Sequence, residues 1–239
     1  MSYLSPPNPL ILGNFKTEVI AFHGWGFDRQ CWKFWQEQFT QLGCKFQAFD
    51  RGYFGNSLQP SFTNFDSKKI ILVHSYGLHL CPLELLQQAD FLIVFNSFLT
   101  FHPEARAEKR RSQLVLGEMI RQFQAMPEIV LQNFYHHSGY PQLQHDFDHL
   151  NHSLLLQDLH QLNDSKLDAS YMQSIAKVLV FSSSNDRIVA ASQTQEFLIA
   201  LLHSCELIRI LRAGHALPFT HFAECWSILQ SALCFSINF

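Results

Sequence analysis

"IILVHSYGLHL", residues Ile70 to Leu80, decides how this chain is read. An apolar run of strand length stops at His74-Ser75-Tyr76-Gly77. The pattern predicts a buried strand that ends in a tight turn with a serine at its tip. Nucleophilic serines are presented this way, usually as G-x-S-x-G, although any serine between a strand and a helix can look alike. Two residues depart from that pattern. Val73 stands at the first glycine position, and Pro82 falls inside the helix expected after Ser75. Proline in a helix interior costs ~3 kcal/mol. The helix is therefore expected to bend, or its crossing with the strand to widen, while Gly77 keeps the turn tight.

Similar apolar runs lie on either side. "TEVIAFHGWG" reads as a strand entering a glycine-containing loop, and "CKFQAFD", "DFLIVFNS", "AKVLVFSSSND" and "CELIRIL" read as further strands. Helical spacing separates them. In "RQCWKFWQEQFTQL", Trp32, Trp35, Phe39 and Leu42 fall on one face. Helices are also expected in "QTQEFLIALL" and "FAECWSILQSALCFSI". Apolar strands alternating with helices predict an α/β fold, a mostly parallel sheet covered on both faces. From about residue 101 to 169 the strand signals vanish, and the chain reads as amphipathic helices with a break at Pro127. The expected organisation is a core of residues 1–100 and 170–239 with a helical lid inserted at 101–169.

Composition narrows the function. The chain has 239 residues, 47% hydrophobic and 15% charged, with a net charge of −3. That excludes a disordered chain and gives no global attraction to nucleic acid. The 23 phenylalanines predict an aromatic core, with some of them lining an apolar pocket. Cys31, Cys44, Cys81, Cys205, Cys225 and Cys234 show no zinc spacing and read as free thiols in a reducing compartment. The N-terminal stretch lacks a basic, then apolar, leader pattern, and no segment approaches the length of a membrane span. A cytoplasmic monomer is expected, without membrane or nucleic-acid partners.

Three strand ends each offer a different chemical group. Ser75 follows "KIILVH", Asp186 follows "KVLVFSSSN", and His215 follows "ELIRILRAG". Ligands gather at the carboxyl ends of parallel strands, so the three loops can converge there. A serine hydroxyl needs a base to take its proton, histidine has a suitable pKa, and a carboxylate fixes the histidine tautomer. Taken singly, Asp186 is equally a helix cap and His215 an ordinary loop histidine. Together and in this order they form a Ser-Asp-His set. "HGWG", His23 to Gly26, lies after the first strand, where an oxyanion loop belongs. The backbone amides of Trp25 and Tyr76 are the expected donors.

With these residues in view, the chain resembles the α/β-hydrolase superfamily over nearly its full length. Within it, the sequence is most similar to the pimeloyl-[acyl-carrier-protein] methyl ester esterases of biotin synthesis. The similarity rests on "HGWGFDRQCW" (23–32), "FDRGYFGNS" (49–57), "HSYG" (74–77), "NDRIV" (185–189) and "AGHALPFTHFAEC" (213–225). The resemblance implies a serine carboxylesterase that needs no cofactor or metal and acts on an ester linked to an acyl carrier protein. Ser75 would be the nucleophile, His215 the base and Asp186 its orienting partner. Trp25, Phe123 and Phe134 are the aromatic candidates for contact with the ester.

Acidic carrier proteins call for a basic surface. Arg106, Lys109, Arg110, Arg111 and Arg121 are the candidates, although interleaved Glu104 and Glu108 also suit a plain solvated face. Later in the lid, where that esterase family has further basic residues, this chain has histidines and glutamines. The patch His136, His137, His145, His149 and His152 lacks H-E-x-x-H, and a solvated or pH-sensitive lid accounts for it better than a metal does. Another esterase, a thioesterase or a C–C hydrolase would use the same three groups. A non-catalytic binding protein on this fold would not need all three.

Overall fold

The computed structural model describes residues 16–141, 147–201 and 204–236. Six strands form one sheet: β1 (Thr17–Phe22), β2 (Lys45–Ala48), β3 (Lys68–His74), β4 (Phe91–Phe95), β5 (Lys177–Ser183) and β6 (Cys205–Ile210). Their order is β2-β1-β3-β4-β5-β6, and every pairing is parallel. The chain winds outward from β1 to β2, then returns to the other side of β1 with β3. Loops after β1 and β3 diverge at this reversal and leave a crevice at the strand ends. The "HGWG" loop and Ser75 both occupy it.

Strand alternation sorts the apolar residues onto two faces. Val19, Ala21, Ile70, Leu72, Ile93, Phe95 and Phe181 belong to one core, with Trp32, Trp35 and Phe39. Ile20, Phe22, Ile71, Val73, Leu92, Val94 and Val180 belong to the other. The first core is covered by α1 (Lys33–Gln41), the one-turn α8 (Leu217–Thr220) and α9 (Phe222–Ser236). There Trp35 meets Trp226 edge-on at 5.9 Å and donates its indole N–H to Pro218 O at 2.8 Å. The second core is covered by α2 (Gly77–Leu80), α3 (Leu83–Leu86) and α7 (Ala191–Ala200) through Leu78, Leu86 and Phe197. Burial on both faces makes the strands read as continuous apolar runs.

Between β4 and β5 the chain builds α4 (Arg106–Ala125), α5 (Pro127–His137) and α6 (His152–Asn163). Pro127 begins α5, where its missing N–H costs no helical bond. An antiparallel bridge between Thr100 and Lys166, and a bond from Leu167 N to Leu99 O at 2.8 Å, join the two ends of this excursion. The excursion rests on the crevice loops. Tyr135 donates its hydroxyl to Gly26 O at 2.7 Å, and Trp25 donates its indole N–H to Leu155 O at 2.9 Å. Among the described residues no helix is long and apolar enough to cross a membrane.

Candidate active site

Ser75 follows the last residue of β3 with φ of +54°. A non-glycine residue there is strained by ~1–3 kcal/mol and persists only where its surroundings hold it. Its N–H donates to Phe95 O at 3.0 Å, and its carbonyl accepts the Ser97 hydroxyl at 2.6 Å. Gly77 sits tightly against the end of β1. A Cβ on Gly77 would lie 2.4 Å from Phe22 O and 2.8 Å from His23 O. The helix ends after one turn instead of bending. Cys81 is extended, and Pro82 caps the separate short helix α3. Proline thus avoids a helix interior, and Val73 packs with Leu78 and Cys81 in the second core.

The structure brings the three strand-end groups together. His215 Nε2 lies 2.8 Å from Ser75 Oγ, and His215 Nδ1 lies 2.8 Å from Asp186 Oδ2. The other Asp186 oxygen accepts the N–H groups of Ile188 at 2.7 Å and Val189 at 2.9 Å. Asp186 therefore does not cap the helix that follows, whose N-cap is Ala190; one oxygen holds the turn before that helix and the other faces His215. With Asp186 accepting at Nδ1–H, the unprotonated Nε2 faces the serine hydroxyl. His215 is fully buried. The loop carrying it rests against the end of α5: Ala216 N donates to Ser138 O at 2.9 Å, and a Cβ on Gly214 would lie 2.7 Å from that oxygen.

The "HGWG" loop passes directly by the serine, and a Cβ on Gly24 would lie 2.9 Å from Ser75 Cβ. His23 is a strut. Its Nδ1–H donates to Gly24 O at 2.8 Å, and its Nε2 accepts Arg51 N–H at 3.0 Å, which defines a neutral tautomer. Among the described residues, the backbone N–H groups of Trp25 and Tyr76 meet no protein acceptor. Two unspent donors thus flank the serine.

Beside Ser75 opens a cavity of about 490 Å³. Trp25, Tyr76 and Phe134 line it, as the sequence suggests, together with Phe98, Phe101, Leu116, Met119, Leu159 and Leu162. Phe123 does not line it; it packs edge-on behind Trp25 at 5.8 Å. Arg111, Arg187, Glu108 and Gln193 add polar groups to the wall. Sequence reading missed Phe98 and Phe101 because they follow β4 in a loop with no helical or strand periodicity. Arg187 was visible only as a neighbour of Asp186.

Arg106, Lys109, Arg110 and Arg111 are exposed in the first turns of α4. Arg121 is instead paired with Glu118 one turn away, at 2.6 Å. Among the described residues no three His, Cys, Asp or Glu side chains group to hold a metal. His136 and His137 end α5, His149 lies in a short 3-10 turn and His152 begins α6, while His145 lies outside the described residues. Five cysteines among the described residues are free.

This is the α/β-hydrolase fold. Over 91% of its length the chain is similar to the esterase EaEST from Exiguobacterium antarcticum, with a TM-score of 0.69 and 14% identity over 92% of that structure. A bromoperoxidase from Bacillus anthracis matches equally well, with a TM-score of 0.69, 14% identity and coverage of 91% and 92%. MenH from S. aureus matches with a TM-score of 0.66 and 12% identity over 95% of this chain and 97% of that one. No protein-family model matches the chain, and no curated protein matches it in sequence.

Proposed function

We propose that the protein is a serine carboxylesterase and that its substrate is the methyl ester of pimeloyl-acyl-carrier-protein. The observation that carries the esterase chemistry is the unbroken chain Ser75–His215–Asp186 opening onto an apolar cavity. Ser75 Oγ attacks the ester carbonyl while His215 Nε2 takes its proton, and Asp186 stabilises the imidazolium. The amides of Trp25 and Tyr76 hold the tetrahedral oxyanion. His215 returns the proton to the departing methoxide, which leaves as methanol. Water then repeats the sequence on the acyl-enzyme and frees Ser75.

Substrate identity rests on the motif resemblance, above all on "AGHALPFTHFAEC" (213–225), and on the basic start of α4 facing an acidic carrier. The apolar cavity suits an acyl chain, which also fits another acyl esterase or a thioesterase. Expression in a bacterium that lacks its pimeloyl-ester esterase tests the substrate: growth without biotin is expected, and is expected to be lost with Ser75→Ala. Growth restored equally by both forms overturns the serine mechanism. No growth, with a soluble enzyme active on simple esters, overturns the substrate and leaves the esterase.

A further inference from the structure

We propose that Asn96, together with His74, is a positioning residue that clamps the backbone of His215 and so sets its imidazole at bonding distance from Ser75. The inference rests on the serine-hydrolase reading above. Asn96 follows β4, a strand that contributes no member of the Ser-His-Asp set but lies between β3 and β5, which lead to Ser75 and Asp186. Its φ of +44° is a left-handed conformation that asparagine tolerates better than most residues. That backbone reason would be met equally by glycine. It does not explain what the side chain does.

The Asn96 amide joins two of the three functional loops. Oδ1 accepts the N–H of Ser183 at 2.9 Å, at the end of the strand leading to Asp186. That bond assigns the amide orientation and turns Nδ2 toward the His215 loop. Nδ2 donates to His215 O at 2.9 Å, with Gly214 O at 3.1 Å and Ser183 Oγ at 2.6 Å also within reach. Ser183 adds its own hydroxyl to Gly214 O at 2.6 Å. The residues on either side of Asn96 hold the third loop, since Phe95 O and Ser97 Oγ bond to the backbone of Ser75.

His74 reaches the same carbonyl from the other strand. Its Nε2 lies 3.0 Å from His215 O and so acts as the donor, while its buried Nδ1 has no partner among the described residues. Phe27 and Phe219 meet the His74 ring edge-on at 5.3 and 4.9 Å. Burial, and then proximity to His215, hold its pKa well below the ordinary histidine value, so it is a neutral donor and no rival base. Two donors from β3 and β4 thus converge on one oxygen of the residue that must face Ser75.

Asn96→Gly isolates the side chain, because glycine keeps the positive φ. The expected result is a folded protein whose kcat for a small ester falls about 10- to 100-fold with KM unchanged, as a displacement of about 1 Å produces. Phosphonylation of Ser75 by a fluorophosphonate should slow in parallel. A folded Asn96→Gly protein with wild-type kcat and labelling rate, or with only KM changed, overturns the clamp. If Asn96→Gly fails to fold, His74→Leu and His74→Gln decide: Gln retains a donor at the Nε2 position, and equal kcat in the two overturns the clamp. A wild type that is folded but never labelled overturns the esterase reading, and the clamp with it.

Discussion

Arg51 and Asp158 meet through two hydrogen bonds, 2.8 Å from Nε to Oδ2 and 2.7 Å from Nη2 to Oδ1. Asp158 is fully buried on α6 and also accepts the Tyr53 hydroxyl at 2.6 Å. The hydrogen bond to Asp158 raises the Arg51 pKa above its ordinary value, and burial pushes the Tyr53 hydroxyl up. The loop after β2 therefore holds one inserted helix in place through a charged fork.

Breaking that fork should be costly. Arg51→Met leaves a buried carboxylate with one donor lost on each oxygen, and removal of one partner of a buried pair costs ~3–5 kcal/mol. Arg51 is partly exposed, so the lower end is expected, about 3 kcal/mol, read from urea unfolding. A change below 1 kcal/mol would show that water replaces the fork.

Glu18 predicts an acid transition. Burial alone would raise its carboxyl, but the N–H groups of Thr63 and Asn64 and the hydroxyls of Ser67 and Thr63 outweigh it and bring the pKa down to about 2, from an ordinary 4.5. The folded pKa is depressed, so this stabilisation is complete above pH 4.5 and is lost as pH falls toward 2. Glu18→Gln should be less stable than wild type at neutral pH. The gap should close over that window in unfolding curves taken at several pH values.

Catalysis should depend on the orienting carboxylate and not only on the nucleophile. Ser75→Ala is expected to abolish fluorophosphonate labelling and ester turnover. Asp186→Asn should keep the fold yet lower kcat by about 10⁴, because the amide selects the wrong imidazole tautomer. Stopped-assay initial rates separate the two variants from wild type, and near-normal turnover by Asp186→Asn would remove Asp186 from the role of orienting partner.

Two glycines should respond oppositely to alanine. At Gly77 a Cβ meets backbone oxygens of Phe22 and His23, so Gly77→Ala should unfold the elbow or abolish labelling. Gly117, inside α4, has no neighbour within 4 Å of such a Cβ. Gly117→Ala should raise stability by about 0.5–1 kcal/mol, seen as a higher thermal midpoint.

Charge reversal tests the carrier reading. Arg110→Glu with Arg111→Glu should raise KM for a carrier-linked ester, while KM for a small soluble ester changes little. Arg111 also borders the cavity, so Arg110→Glu alone provides the cleaner comparison. Equal effects on both esters would place the arginines in folding or in the cavity rather than in docking.

Much of this molecule is legible along the chain. The five apolar runs around β3 are strands because parallel strands buried on both faces have no polar side to hide. Ser75, Asp186 and His215 stand out because each follows such a run and offers a distinct chemical group. Pro82 signals a broken helix, but one-dimensional reading cannot choose between bend, break and wider crossing. The fold chooses the break: Cys81 is extended and buried in the second core, and Pro82 starts a separate helix. Phe123 and Phe134 look alike in sequence, yet only Phe134 faces the cavity.

The sequence by itself determined the strand and helix alternation, the order of the reactive groups and the need for a tight turn at Gly77. These are local properties, set by periodicity, backbone sterics and residue chemistry. Only the tertiary structure decided that the three groups meet at 2.8 Å, that Asn96 and His74 converge on one carbonyl of His215, and that Arg51 reaches Asp158. Those contacts join residues far apart in the chain. Their geometry exists only when the sheet order has placed the strand ends side by side.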